Sequence, residues 1–141
     1  MEFTIHPELP ATDLNRAAAW YREKLGLEPV LHGGKPVEPG TTEFESELLY
    51  DTGTARFGVY ETQHAGKNLA TAARLVTSDF DATHAELLAN GVVFEIYDVG
   101  LFSSEGEEPP YWENGALVFP DGEKTAWFKD SEGNILALGS N

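Results

Sequence analysis

The feature that most constrains this chain is a repeat: the order strand, helix, then several strands occurs twice. An offset of 66 carries Asp13 onto Asp79, Leu14 onto Phe80, Ala19 onto Ala85 and Tyr21 onto Leu87. One residue of slippage then brings Gly26 onto Gly91. Identity between the halves is thin, but a repeated element order points to a duplicated module. Thr12 is expected to cap a helix in which Leu14, Ala17, Ala18, Tyr21 and Leu25 recur at helical spacing, with Gly26 as its stop. A second helix is expected after Ser78, with Phe80, His84, Leu87 and Leu88 on one face and Asn90-Gly91 closing it. Strands are expected over Phe3 to His6, Pro29 to His32, Glu43 to Tyr50 and Ala55 to Glu61, then over Leu69 to Thr77, Val92 to Tyr97, Ala116 to Phe119, Lys124 to Lys129 and Asn134 to Leu138. Residues 1–63 make the first module, 64–68 a polar linker and 69–141 the second module, which carries an insertion at 98–115.

Charge removes whole classes of partner. Against 9 Lys and Arg stand 24 Asp and Glu, a formal charge of −15. Such a surface repels phosphate backbones and anionic lipid, so no nucleic acid and no membrane is expected as partner. With no cysteine there is no disulfide, thiolate metal site or cysteine nucleophile. The opening MEFTIHPELP has neither the basic nor the apolar region of a signal peptide, and no apolar run approaches a membrane span, so a cytoplasmic location is expected. Nucleotide loops, the serine-hydrolase elbow and the zinc-protease motif are all absent.

Three phrases carry a family resemblance: Ala11-Thr-Asp-Leu-Asn-Arg-Ala-Ala-Ala-Trp-Tyr-Arg-Glu-Lys-Leu-Gly-Leu27, Phe80-Asp-Ala-Thr-His-Ala-Glu-Leu-Leu-Ala-Asn-Gly-Val-Val-Phe-Glu95 and Ala126-Trp-Phe-Lys-Asp-Ser-Glu-Gly-Asn-Ile-Leu136. Together they resemble the vicinal oxygen chelate superfamily of glyoxalase I, bleomycin-resistance proteins and extradiol dioxygenases. The resemblance implies an α+β fold of two tandem βαβββ modules, a single domain whose sheets curl into a half-barrel around a cavity. It also implies a homodimer. In metal-dependent members each module supplies one ligand from its first strand and one from its last. Carried over by position, these fall on His6, Ala72 and Ala137, while Arg56 to Tyr60 offers no donor and Glu61 is the nearest carboxylate. One imidazole does not hold a transition metal, so no metal and no other cofactor is expected.

The remaining candidates belong to the cavity. Arg74 lies two residues beyond Ala72, on the same strand face. Its guanidinium would clamp a carboxylate or phosphate there, or else pair with one of the many Glu residues. Arg56, sharing a face with Gly58 and Tyr60, is read the same way. Phe128 is expected under a helix, which leaves Trp127 for the cavity, with Tyr60, Tyr97 and Phe57 as further wall or core aromatics. His6 is a remnant of a metal site or a polar cavity residue, and a weak candidate acid or base. His84 reads as a packing residue. The insertion reads as a lid, a dimer contact or a mobile loop.

The leading function is metal-independent binding of a small, partly aromatic or amphipathic molecule. The alternatives are a glyoxalase-like lyase or isomerase with an unconventional or absent metal site, and a non-catalytic oligomeric or regulatory module. The acidic surface favours cationic or neutral ligands and Arg74 an anionic one, so the ligand's charge stays open at this point.

Overall fold

A computed structural model describes residues 1–98 and 105–141, so part of the expected 98–115 insertion lies outside the described residues. The class is α+β, with two open sheets. The chain divides into two compact units, residues 1–72 with 130–134, and residues 73–129 with 135–141. The linker expected at 64–68 falls inside the first of them.

In the first unit, β1 (Glu8–Ala11) leads into α1 (Leu14–Leu25), followed by β2 (Leu31–His32), β3 (Lys35–Pro36), β4 (Glu47–Asp51) and β5 (Arg56–Glu61). The sheet order is β1-β5-β4-β2-β3, with β1 parallel to β5 and the other pairs antiparallel. The first strand is therefore Glu8–Ala11, not the expected Phe3 to His6. Phe3 and Ile5 stay exposed, whereas Leu9 and Ala11 alternate into the core. Pro7 precedes this strand and Pro10 lies within it, and proline is tolerated because β1 is an edge, where an outward N–H has no ladder partner to lose. The Pro7 carbonyl accepts from Gly58 N–H at 2.8 Å, so pairing begins just before the strand proper.

Asp13, not Thr12, caps α1: its carboxylate accepts from Arg16 N–H at 2.9 Å. Gly26 ends the helix in the left-handed region at φ 66°, and Leu27 N–H turns back to the Tyr21 carbonyl. The apolar face read from the sequence is the buried one, with Leu14, Ala17, Ala18 and Tyr21 all inside. Tyr21 meets Tyr50 and Phe57 at ring distances of 5.4 and 5.7 Å. Phe57 is thus half-buried, packed against the core rings of Tyr21 and Tyr50. Residues 130–134 belong to this unit through Asp130, which accepts from the Tyr21 hydroxyl at 2.8 Å, and Glu132, which accepts from Thr12 N–H, Asp13 N–H and the Arg16 guanidinium at 2.8–3.0 Å.

The second unit's sheet begins with β6 (Thr71–Thr77), whose first two residues fall in the first unit. Then come α2 (Phe80–Ala89), β7 (Phe94–Glu95), β8 (Tyr111–Glu113), β9 (Ala116–Val118), β10 (Lys124–Lys129) and β11 (Ile135–Ser140). The order is β6-β11-β10-β9-β8, and β7 also pairs with β10. Asp79 caps α2 as Asp13 caps α1, accepting from Ala82 N–H at 3.0 Å. The described end of the insertion is a hairpin. Asn114 and Gly115, at φ 50° and 80°, connect β8 to β9, the two positive values that a type I′ turn demands. Among the described residues no helix is long and apolar enough to cross a membrane.

Candidate functional site

Strand alternation in the second unit separates two faces. Phe128 is fully buried and meets Phe94 edge-on at 5.7 Å, and Phe94 in turn stacks on His84 of α2 at 4.3 Å. That side is the helix side. Trp127, one residue earlier, therefore looks the other way. There Tyr97 and Trp112 meet it edge-on at 5.8 and 6.2 Å, and the Trp112 indole N–H donates to the Tyr97 carbonyl at 3.1 Å. These three rings form an aromatic wall, and Trp127 itself is half-buried.

Arg74 lies on the same face. Its guanidinium crosses over Gly139 of β11, where a Cβ would sit 2.2 Å from Nη2 and 2.4 Å from Cζ and Nε. The side-chain direction at Gly139 is shared by Ala137, and Ala137 is the register partner of Trp127. Only a glycine at position 139 lets the fork lie there. Among the described residues Arg74 has no hydrogen bond or ion pair, whereas Arg16, Arg22 and Arg56 each hold a carboxylate. Residues 99–104 contain no Asp or Glu, so every carboxylate of the chain is among those described.

The first unit repeats the geometry with opposite charge. Glu8 of β1 lies over Gly58 of β5, where a Cβ would fall 2.1 Å from Oε2. Glu8 and Arg74 are related by the same offset of 66 as the two capping aspartates. Sequence reasoning missed Glu8, for which that offset was the available signal; it does not relate Gly58 to Gly139. Arg56 is committed to Asp51 across the β4–β5 hairpin at 2.9 Å, and Tyr60 is 38% exposed on the same face.

His6 lies before β1 and is exposed. Its counterpart Ala72 is within β6 and Ala137 within β11, and neither has a donor atom. Alternation turns Glu61 away from Arg56, Gly58 and Tyr60. Among the described residues no three His, Asp or Glu side chains converge where they could hold a metal ion. The residues at the four family ligand positions do not fit a divalent ion.

A separate hollow of about 630 Å³ lies on the helix side of the second unit, lined among others by Phe80, His84, Leu88, Val118 and Lys124. Of its charged groups, Lys124 donates to Asp81 at 2.7 Å, and Glu113 also lines it. His84 stacks between Phe80 and Phe94, its Nε2 has no partner among the described residues, and burial pushes its pKa down.

A sequence profile described as the Glyoxalase/Bleomycin resistance protein/Dioxygenase superfamily matches residues 4–138. No curated protein matches the sequence. Among solved structures, a glyoxalase/bleomycin resistance protein from Catenulispora acidiphila is 20% identical with a TM-score of 0.65, the match covering 99% of each chain. A lactoylglutathione lyase from Agrobacterium tumefaciens is 17% identical at a TM-score of 0.64, with 100% of this chain and 95% of that one covered. A bleomycin-binding protein in complex with bleomycin is 16% identical at a TM-score of 0.63, with 99% of each covered. At these identities the likeness is one of fold.

Proposed function

The chain belongs to the glyoxalase/bleomycin resistance protein/dioxygenase superfamily, and within it we propose that this member binds a small, partly aromatic molecule without a metal ion. The observation that carries the reading is Arg74. In a chain with 24 acidic side chains to 9 basic ones, an arginine without a carboxylate is the exception. It lies on the sheet face where Trp127, Tyr97 and Trp112 gather. An orienting charge beside an aromatic wall is the usual composition of a small-molecule site. Ala72 and Ala137 support the metal-free part of the reading, since a site short of donors cannot activate water or polarise a carbonyl through a metal. The bleomycin complex shows that this fold holds an organic molecule in another protein. A cytoplasmic location and a homodimeric state travel with this reading as proposals.

A thermal-shift screen of small aromatic and amphipathic compounds, followed by calorimetric titration of the best hit, tests it. Arg74→Ala should weaken binding by about 1.5–3 kcal/mol, the range for a hydrogen bond to a charged group. Trp127→Ala should weaken it as well, and dialysed protein should contain no stoichiometric transition metal. If both variants bind the hit as tightly as the parent protein, the site assignment is wrong; about one Zn, Ni, Fe or Mn per chain would refute the metal-free reading.

A further inference from the structure

We infer that the molecule held on this face is an aromatic carboxylate, a planar ring carrying one anionic, fork-shaped head group. The inference rests on the binding reading of the same face and adds the ligand's class. It also answers the conflict between an anionic chain and a cationic contact.

Three observations carry it. The first is local charge. On the strand face that bears Trp127, the charged side chains of β6, β7, β10 and β11 are Arg74, Lys129 and Glu95, and Lys129 lies 3.9 Å from Glu95. Those two offset one another, which leaves the charge of Arg74 uncompensated. The remaining acidic excess acts over longer distances, where salt screens it beyond about 8 Å at physiological ionic strength. A head group in direct contact with the guanidinium responds mainly to that near charge.

The second observation is shape. Arg74 is not extended at random into solvent; its guanidinium is seated across the backbone at Gly139. Part of the entropy of ordering a long side chain is therefore spent before a ligand arrives. A planar fork presents two parallel N–H donors, which a carboxylate meets with two oxygens in one plane.

The third is the wall. Trp127, Tyr97 and Trp112 offer apolar, polarisable surface on the same face, and each of the three is half-buried. A ring joined directly to a carboxylate covers such a wall while its head group points at the fork. An aliphatic acid would use only the fork, and a neutral arene only the wall.

The test uses the full chain and three probes of one shape: 1-naphthoate, its neutral amide 1-naphthamide, and the cation 1-naphthylmethylammonium. Binding is followed by tryptophan fluorescence and calorimetry. The expected order places naphthoate at least about tenfold tighter than the amide, with the cation weakest. Arg74→Gln should erase the difference between acid and amide, and Arg74→Lys should restore part of it. Gly139→Ala provides a second variant that keeps the charge: its Cβ would occupy the seat of the guanidinium, so it too should reduce the preference for the acid. Circular dichroism and melting curves confirm that each variant is folded. If the amide or the cation binds as tightly as naphthoate, and Trp127→Ala weakens that binding, the acid class is overturned while the binding reading survives. If no probe binds, or binding is indifferent to both Arg74 and Trp127, the inference and the binding reading fall together.

Discussion

Glu132 collects more hydrogen bonds than any other described side chain in the first unit. It accepts from Thr12 and Asp13 N–H, from two nitrogens of Arg16 and from the hydroxyls of Thr12 and Ser131. Burial pushes its pKa up, but the Arg16 guanidinium and the Asp13 and Ser131 donors more than reverse this and bring it down to about 2. A carboxylate held below its unfolded value stabilises the fold above that value. The contribution is complete above about pH 4.5 and is lost as the pH falls toward 2. Glu132→Gln should therefore cost on the order of 1.5–3 kcal/mol near neutral pH, the scale for hydrogen bonds to a charged group, its Arg16 partner being half-exposed. The deficit should shrink in urea melts run near pH 3; an equal deficit at both pH values would mean that the charge is not what matters. None of this was legible in the sequence, because the partners lie about 120 residues apart and nothing local marks Glu132. That Arg74 and Trp127 face one side of their sheet was legible, since strand parity needs only neighbours two residues away. The absence of a carboxylate on Arg74 was not, because it depends on where all 24 acids end up.

At the level of elements, both helices and β10 were readable from period and caps, and the misreadings have physical causes. Phe3 to His6 has the apolar alternation of a strand, whereas Glu8–Ala11 contains Pro10 and looks like a breaker. The edge position of β1 reverses that judgement, and edge status is a property of the whole sheet. Thr12 and Asp13 are both good caps by type; Thr12 is drawn off to Glu132, which leaves the cap to Asp13. The Asn114-Gly115 pair is the opposite case, a strong local hairpin signal overlooked within an apparent insertion. Its left-handed φ of 80°, with Phe94 Cβ only 3.3 Å from where a Cβ would stand, leaves little tolerance at Gly115. Gly115→Val should destabilise the protein by about 1–3 kcal/mol, the cost of a non-glycine residue held in a sparsely populated region. Chemical denaturation measures the loss, and a shift in Trp112 emission would report a change in the β8 register. A variant as stable as the parent would show that the hairpin contributes nothing to the fold.

For the whole molecule, the formal charge of −15 is the dominant long-range term. Self-repulsion among so many carboxylates opposes compaction. Raising salt from about 10 to about 100 mM shortens the Debye length from about 30 to about 10 Å and should raise the melting temperature by a few degrees. A melting temperature that falls over this range would show that attractive pairs outweigh the repulsion. The division into two units was partly visible as the 66-residue offset, but not the assignment of residues 130–134 to the first of them. That assignment sets an order in time. On a ribosome the first helix emerges well before its partner: the carboxylate that grips its start is added 119 residues after Asp13. Had each half of the duplication kept all its own parts, the earlier one could have finished before the later one began. Here the earlier half must wait, its leading turn held by the Asp13 cap, until Glu132 has been added.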